Sequence, residues 1–167
     1  MKKKVLLLTL IISIFLVVGA GFAFQNEPDG FRGLKWGDPA TENMIPLIAK
    51  DPSEKTREYE LPNEKLNIGN AQLSKILYLF WKIDSTEKLM WVTLQFEGEY
   101  NYDLLKTICE GKFGTPSYED LSALWWDGPI TAIALGHKSL ILMSYQLTRE
   151  FAETGKKEEA EKAEEDW

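Results

Sequence analysis

The chain has 167 residues, with 26 acidic against 19 basic side chains, one histidine, one cysteine and a formal charge of −7. That length suits one domain with a single core, and an acidic balance without a basic stripe argues against nucleic acid or an anionic membrane surface as partner. One Cys and one His exclude an intramolecular disulfide and the usual zinc ligand sets, so neither metal nor cofactor is expected.

Residues 1–23 read as a secretory signal. Lys2, Lys3 and Lys4 make a positive start, Val5 to Val18 is uncharged and apolar, and Gly21 and Ala23 place a cut before Phe24. An uncleaved Val5–Phe24 run of about 20 residues is also long enough to anchor the chain in a bilayer. Either way the remainder is exported. The expected location is periplasmic or secreted, or membrane-anchored if the segment is retained. Cleavage removes three lysines, so the mature chain is more acidic still.

Phe31 to Gly37 predicts a first short strand. Asp38-Pro39 offers an N-cap and a first-turn proline, and Met44, Ile45 and Ile48 fall on one face of a helix over 40–49, which Pro46 must bend or stop. Short strands are expected at Glu58–Leu61 and beside Gly69-Asn70. From Leu73 to Ile83, Ile76, Tyr78 and Phe80 alternate with Leu77, Leu79 and Trp81, so both faces of that strand are covered. Asp84 to Glu87 turns the chain into a strand over Lys88–Glu97, with Met90, Val92, Leu94 and Phe96 opposite Trp91, Thr93 and Gln95.

A second helix follows. Asn101 is the expected N-cap, Asp103 lies in the first turn, Leu104, Leu105, Ile108 and Phe113 form the stripe, and Gly114 and Pro116 end it. Asp127-Gly128 suits a type I′ turn between Leu124–Trp126 and Ile130–Leu135, and Leu140–Leu147 is the last strand. The fold class is therefore α+β: an antiparallel sheet packed against two short helices, in two successive helix–hairpin units. The domain spans 24–148. Residues 149–167 are an acidic, frayed helical tail, where Glu153–Lys157 and Glu158–Lys162 can pair but no apolar stripe exists.

No catalytic constellation emerges. Cys109 lies on a helical pattern, where a small buried thiol is the common outcome, and His137 sits in an exposed turn beside Lys138. Glu97, Glu99 and Asp103 crowd the strand-to-helix corner, but nothing in the sequence sets two of them about 5–9 Å apart as glycan hydrolysis needs. The aromatic residues are more informative. Adjacent strand residues point to opposite faces, so Trp125 and Trp126 cannot both enter one core. Trp91 also lies opposite the Val92 and Leu94 face. Trp91, Trp125 and Trp126 are therefore the candidate binding residues, as an aromatic sheet surface.

The stretches Phe31-Arg32-Gly33-Leu34-Lys35-Trp36-Gly37, Leu66-Asn67-Ile68-Gly69 and Phe113-Gly114-Thr115-Pro116 resemble a family of small exported bacterial proteins of unknown function. The helix, Gly-x-Pro, hairpin order is similar, more loosely, to the β-lactamase-inhibitor-like and SmpA/OmlA architecture. That likeness implies a protein-binding fold without a catalytic centre and lends no site residues. The chain lacks the lipobox Cys and the disulfides of those proteins. The expected function is a non-enzymatic binding module for a protein or peptide of the bacterial envelope. The alternatives are an envelope hydrolase using Glu97, Glu99 and Asp103, or a protein inhibitor of an envelope enzyme.

Overall fold

The computed structural model describes residues 24–47, 55–83 and 85–165. The expected signal or anchor and Trp167 lie outside them. Among the described residues no helix is long and apolar enough to cross a membrane.

The fold is α+β, built on one eight-stranded sheet. In chain order its strands are β3 (Ile45–Pro46), β4 (Thr56–Glu60), β7 (Lys75–Ile83), β8 (Thr86–Gln95), β9 (Tyr118–Glu119), β10 (Ala123–Asp127), β11 (Thr131–Gly136) and β12 (Ser139–Ser144). They lie in the order β3-β4-β7-β8-β12-β11-β10-β9, and every neighbouring pair is antiparallel. The two long hairpins thus share one sheet, joined where β12 pairs with β8. Two small hairpins flank it: β1 (Gly30–Phe31) with β2 (Leu34–Lys35), and β5 (Asn67–Ile68) with β6 (Ala71–Gln72).

The main core lies on the sheet face carrying Tyr59, Tyr78, Phe80, Val92, Leu94, Trp126 and Ile133, closed by α1 (Glu99–Phe113) through Leu105, Cys109 and Phe113. A second, smaller cluster lies on the opposite face. There α2 (Tyr145–Glu165) sets Leu147 and Phe151 against Trp81, Met90, Leu79 and Trp91. The two helices therefore sit on opposite faces.

Several local expectations are corrected. Residues 31–37 form a tight hairpin in place of one strand, because Arg32 and Gly33 both take positive φ (48° and 89°), the signature of a type I′ turn. No helix forms over the described part of 40–49. Ile45 and Pro46 pair with Glu60 and Tyr59 as an edge strand, where a missing N–H costs nothing. Asp38 closes a turn instead of capping a helix, accepting the Lys35 N–H at Oδ2 (2.8 Å). The first hairpin thus has no helix before it among the described residues.

The second helix begins two residues before Asn101, after Gly98, whose φ of 80° only glycine adopts easily. Asn101 ties the corner differently: its amide donates to the Glu97 carbonyl (2.8 Å) and its Oδ1 accepts the Gln72 N–H (2.8 Å). Asp103 lies one turn inside. The Asp127-Gly128 turn is longer than type I′, since Asp127 still pairs with Ala132 and the Gly128 N–H reaches the Thr131 carbonyl (3.1 Å). Glu27 braces that loop, its Oε1 accepting the Ile130 and Thr131 N–H groups (both 2.7 Å).

The last strand ends at Ser144, and the helix that follows is docked where a bare tail was expected. Leu147, Thr148, Phe151, Thr154 and Glu158 form its covered side, and Lys55 pairs with Glu158. Its i,i+4 pairs are Arg149–Glu153 (3.5 Å) and Lys157–Glu161 (3.8 Å), a different set from the expected one. A β-bulge makes its seat. The β7–β8 register shifts at Leu79/Phe80, which pair with Trp91 and Leu89. Met90, between them, joins Trp91 on the second face instead of following Val92 and Leu94.

Candidate functional site

Among the described residues the second sheet face is only partly covered, and its open part defines the candidate site. Cross-strand pairing aligns Leu77, Thr93, Ile141, Ala134, Trp125 and Tyr118 in one row across six strands. All but the buried Ala134 and the exposed Tyr118 are half-buried. Trp91, Met143 and Ala132 form the adjacent row and carry the strip back to α2. The result is a largely apolar strip, interrupted by Thr93, with one end under a helix and the other in solvent.

The solvent end is cross-braced by a ring stack and hydrogen bonds. Trp125 stacks on Tyr118 with ring centroids 5.7 Å apart and planes 10° from parallel, an offset geometry that aromatic pairs favour. The Trp125 indole N–H donates to Asp120 Oδ2 (2.9 Å). Asp120 Oδ1 accepts the Ser122 hydroxyl (2.6 Å) and the Ser122 and Ala123 N–H groups (2.7 and 3.0 Å). These donors, the Ser122 hydroxyl foremost, hold the Asp120 carboxyl down at about 2. Desolvation in the stack, then the charges of Asp127 and Asp120, raise the Tyr118 hydroxyl. Leu121, at the tip of this turn, is fully exposed.

The three tryptophans expected to share a surface do not. Trp125 is half-buried on the open strip. Trp91, also half-buried, donates its indole N–H to Thr148 Oγ1 (2.7 Å) and helps hold α2. Trp126 is fully buried in the main core and donates to the Gly114 carbonyl (2.7 Å), so it is no surface residue. Tyr118, Asp120 and Leu121 were missed. Their one sequence signal is Asp120-Leu121-Ser122, where an Asp can bond the backbone two residues on.

The carboxylate corner is elsewhere. Glu97 and Glu99 line a cleft of about 930 Å³ with Tyr102, His137 and Lys138, whereas Asp103 is exposed on α1 and does not line it. His137 is exposed and stacks on Tyr102 (5.3 Å, 25°). Among the described residues none of these three carboxylates accepts a side-chain hydrogen bond or joins an ion pair, and no three His, Cys, Asp or Glu side chains could hold a metal. Cys109 is buried, and burial pushes its thiol up to about 12, with Lys112 opposing and Glu110 adding to the shift. Such a thiol is inert.

No family model, curated protein or solved structure matches this chain.

Proposed function

We propose that the protein is an exported, non-enzymatic binding module that engages a protein or peptide of the bacterial envelope through the open sheet strip ending at Trp125 and Tyr118. One observation carries this reading. Trp125 is fixed on both sides, by the Tyr118 stack and the Asp120 hydrogen bond, yet remains half-exposed. A ring held in place before binding loses little side-chain entropy on contact, which is the property of an interface anchor. The exposed Leu121 beside it extends the apolar area. The export of the module follows from the composition of residues 1–23.

A photo-crosslinker at Leu121 should trap a defined partner in intact cells, and Trp125→Ala should abolish that adduct while the melting temperature falls by no more than a few degrees. An adduct of equal yield with Trp125→Ala would end this assignment. A second reading, an envelope hydrolase, draws on Glu97 and Glu99 sharing a cleft with His137. It requires an activity lost in Glu99→Gln with folding intact.

A further inference from the structure

The open strip carries a charge pattern and stands beside a packing precedent, and together they select its occupant. The strands β10, β11 and β12 contain no basic residue, and their one charged side chain is Asp127. Asp127 is exposed and lies two positions from Trp125, on the same face. Asp120 accepts the Trp125 indole N–H and is held down at about 2, so it stays ionised. Desolvation, then the charges of Asp127 and Asp120, raise the Tyr118 hydroxyl, so both carboxylates stand near the ring stack. Among the described residues neither joins an ion pair. Helix α2, at the strip's other end, adds to the sign with seven Glu against four Lys and Arg.

The precedent is α2 itself. Thr148 accepts from Trp91 of β8 (2.7 Å), Phe151 meets Trp81 of β7 edge-on, and Glu158 pairs with Lys55, next to β4. A helix thus lies across successive strands of this face, seated by an apolar i,i+4 pair, Leu147 and Phe151. The uncovered strands offer the same kind of seat. Half-buried Trp125, Ile141 and Met143 and exposed Tyr118 run from β9 to β12. That is three strand spacings, about 14 Å, the length of about ten helical residues. An extended segment lying there would meet side chains only. Its N–H and C=O groups would be buried unpaired, whereas a helix pairs its own. A partner sheet would need the whole face, and α2 already holds part of it.

We propose that the strip receives a basic amphipathic α-helix of the partner protein, its apolar stripe on Tyr118, Trp125, Ile141 and Met143 and its Lys or Arg side chains beside Asp127 and Asp120. The helix gives shape and charge to the partner inferred above, and it stands only if the strip is a binding surface. Apolar contact supplies the affinity, while the carboxylates steer the approach and reject acidic helices.

The probe is a capped peptide of about 18 residues, built of Leu, Ala and Lys with the leucines on one helical face. It is titrated into the 15N-labelled full chain beside two controls. One carries Glu for every Lys, and the other alternates Leu and Lys as a strand would. Saturable shifts are expected at the Trp125 indole and at the Ile141 and Met143 amides, with both controls weaker by about tenfold or more. Asp127→Asn should weaken the basic helix about threefold and lessen its salt dependence, because one exposed charge is lost. The proposal is overturned if either control binds as tightly or if Asp127→Asn changes nothing. It also falls if the shifts stay within Tyr145–Glu165, where acidic α2 would attract any cation. The Leu121 adduct judges the partner reading apart. An adduct that persists while the basic helix fails at Trp125 removes the helix and keeps the binding surface; failure of both removes both.

Discussion

The two faces of the sheet are both apolar, but they are finished in different ways. The first is sealed by α1 and by the lead segment, where Phe24 meets Phe113 edge-on (5.4 Å) and Trp36 donates to the buried Thr131 hydroxyl (2.6 Å). Among the described residues the second is covered over one end only, by Leu147 and Phe151 of α2, with Phe151 edge-on to Trp81 (5.6 Å). Stability therefore resides mainly in the first face. The second is free to present side chains without risking the fold.

The sharpest way to break this contrast is at the neighbouring tryptophans. Trp126→Ala empties a fully buried position and orphans the Gly114 carbonyl, so it should cost about 3–5 kcal/mol in denaturant unfolding. Leu147→Ala should cost less, about 2 kcal/mol, and should raise hydrogen exchange along 145–158 while α1 stays protected. Equal loss of protection in α1 would mean the two faces form one cooperative unit.

Acid should act locally. The Asp120 carboxyl sits at about 2 against its ordinary 3.8, so its contribution is whole above about pH 4 and is lost as pH falls through 2. A carboxyl-carbon NMR titration should show that low midpoint, and the Trp125 indole resonance should move with it. A midpoint near the ordinary value with a still indole would show that the corner is not held by this network. The smallest effect should be Trp125→Ala, under about 1 kcal/mol of stability. A loss as large as that of Trp126→Ala would place Trp125 in the core and remove the open strip.

Elements with a clean local period were readable from the residues. Tyr78 and Phe80 against Leu79 and Trp81 gave both faces of β7, and Gly98 and Gly114 bracket α1 close to its expected ends. The misread elements had ambiguous or interrupted periods. Met44, Ile45 and Ile48 fit a helix, but Pro46 suits an edge strand better. Leu147 and Phe151 lay on either side of an assumed strand–tail boundary, so the i,i+4 pair that docks α2 went unseen. The bulge at Met90 could not be seen because an extra residue leaves the apolar content unchanged and only reassigns faces. The Arg32–Glu64 ion pair (2.9 Å) was hidden for a further reason: its members are 32 positions apart, and nothing local predicts their meeting.

The sheet's borders bear on the company this chain can keep. One margin is the two-residue β3, whose Pro46 has no N–H to offer. The other margin is the two-residue β9, which with its flanks covers β10: the Trp125 carbonyl accepts from the Ser117 N–H (2.6 Å), the Ala123 carbonyl from the Asp120 N–H (3.1 Å), and the Asp127 N–H donates to the Ser117 hydroxyl (3.0 Å). Strand-to-strand zipping between molecules, the route by which β proteins clump and form fibrils, finds only two-residue edges among the described residues. Crowded copies should stay dispersed, and anything that docks on the strip must lie across the strands instead of lengthening the sheet.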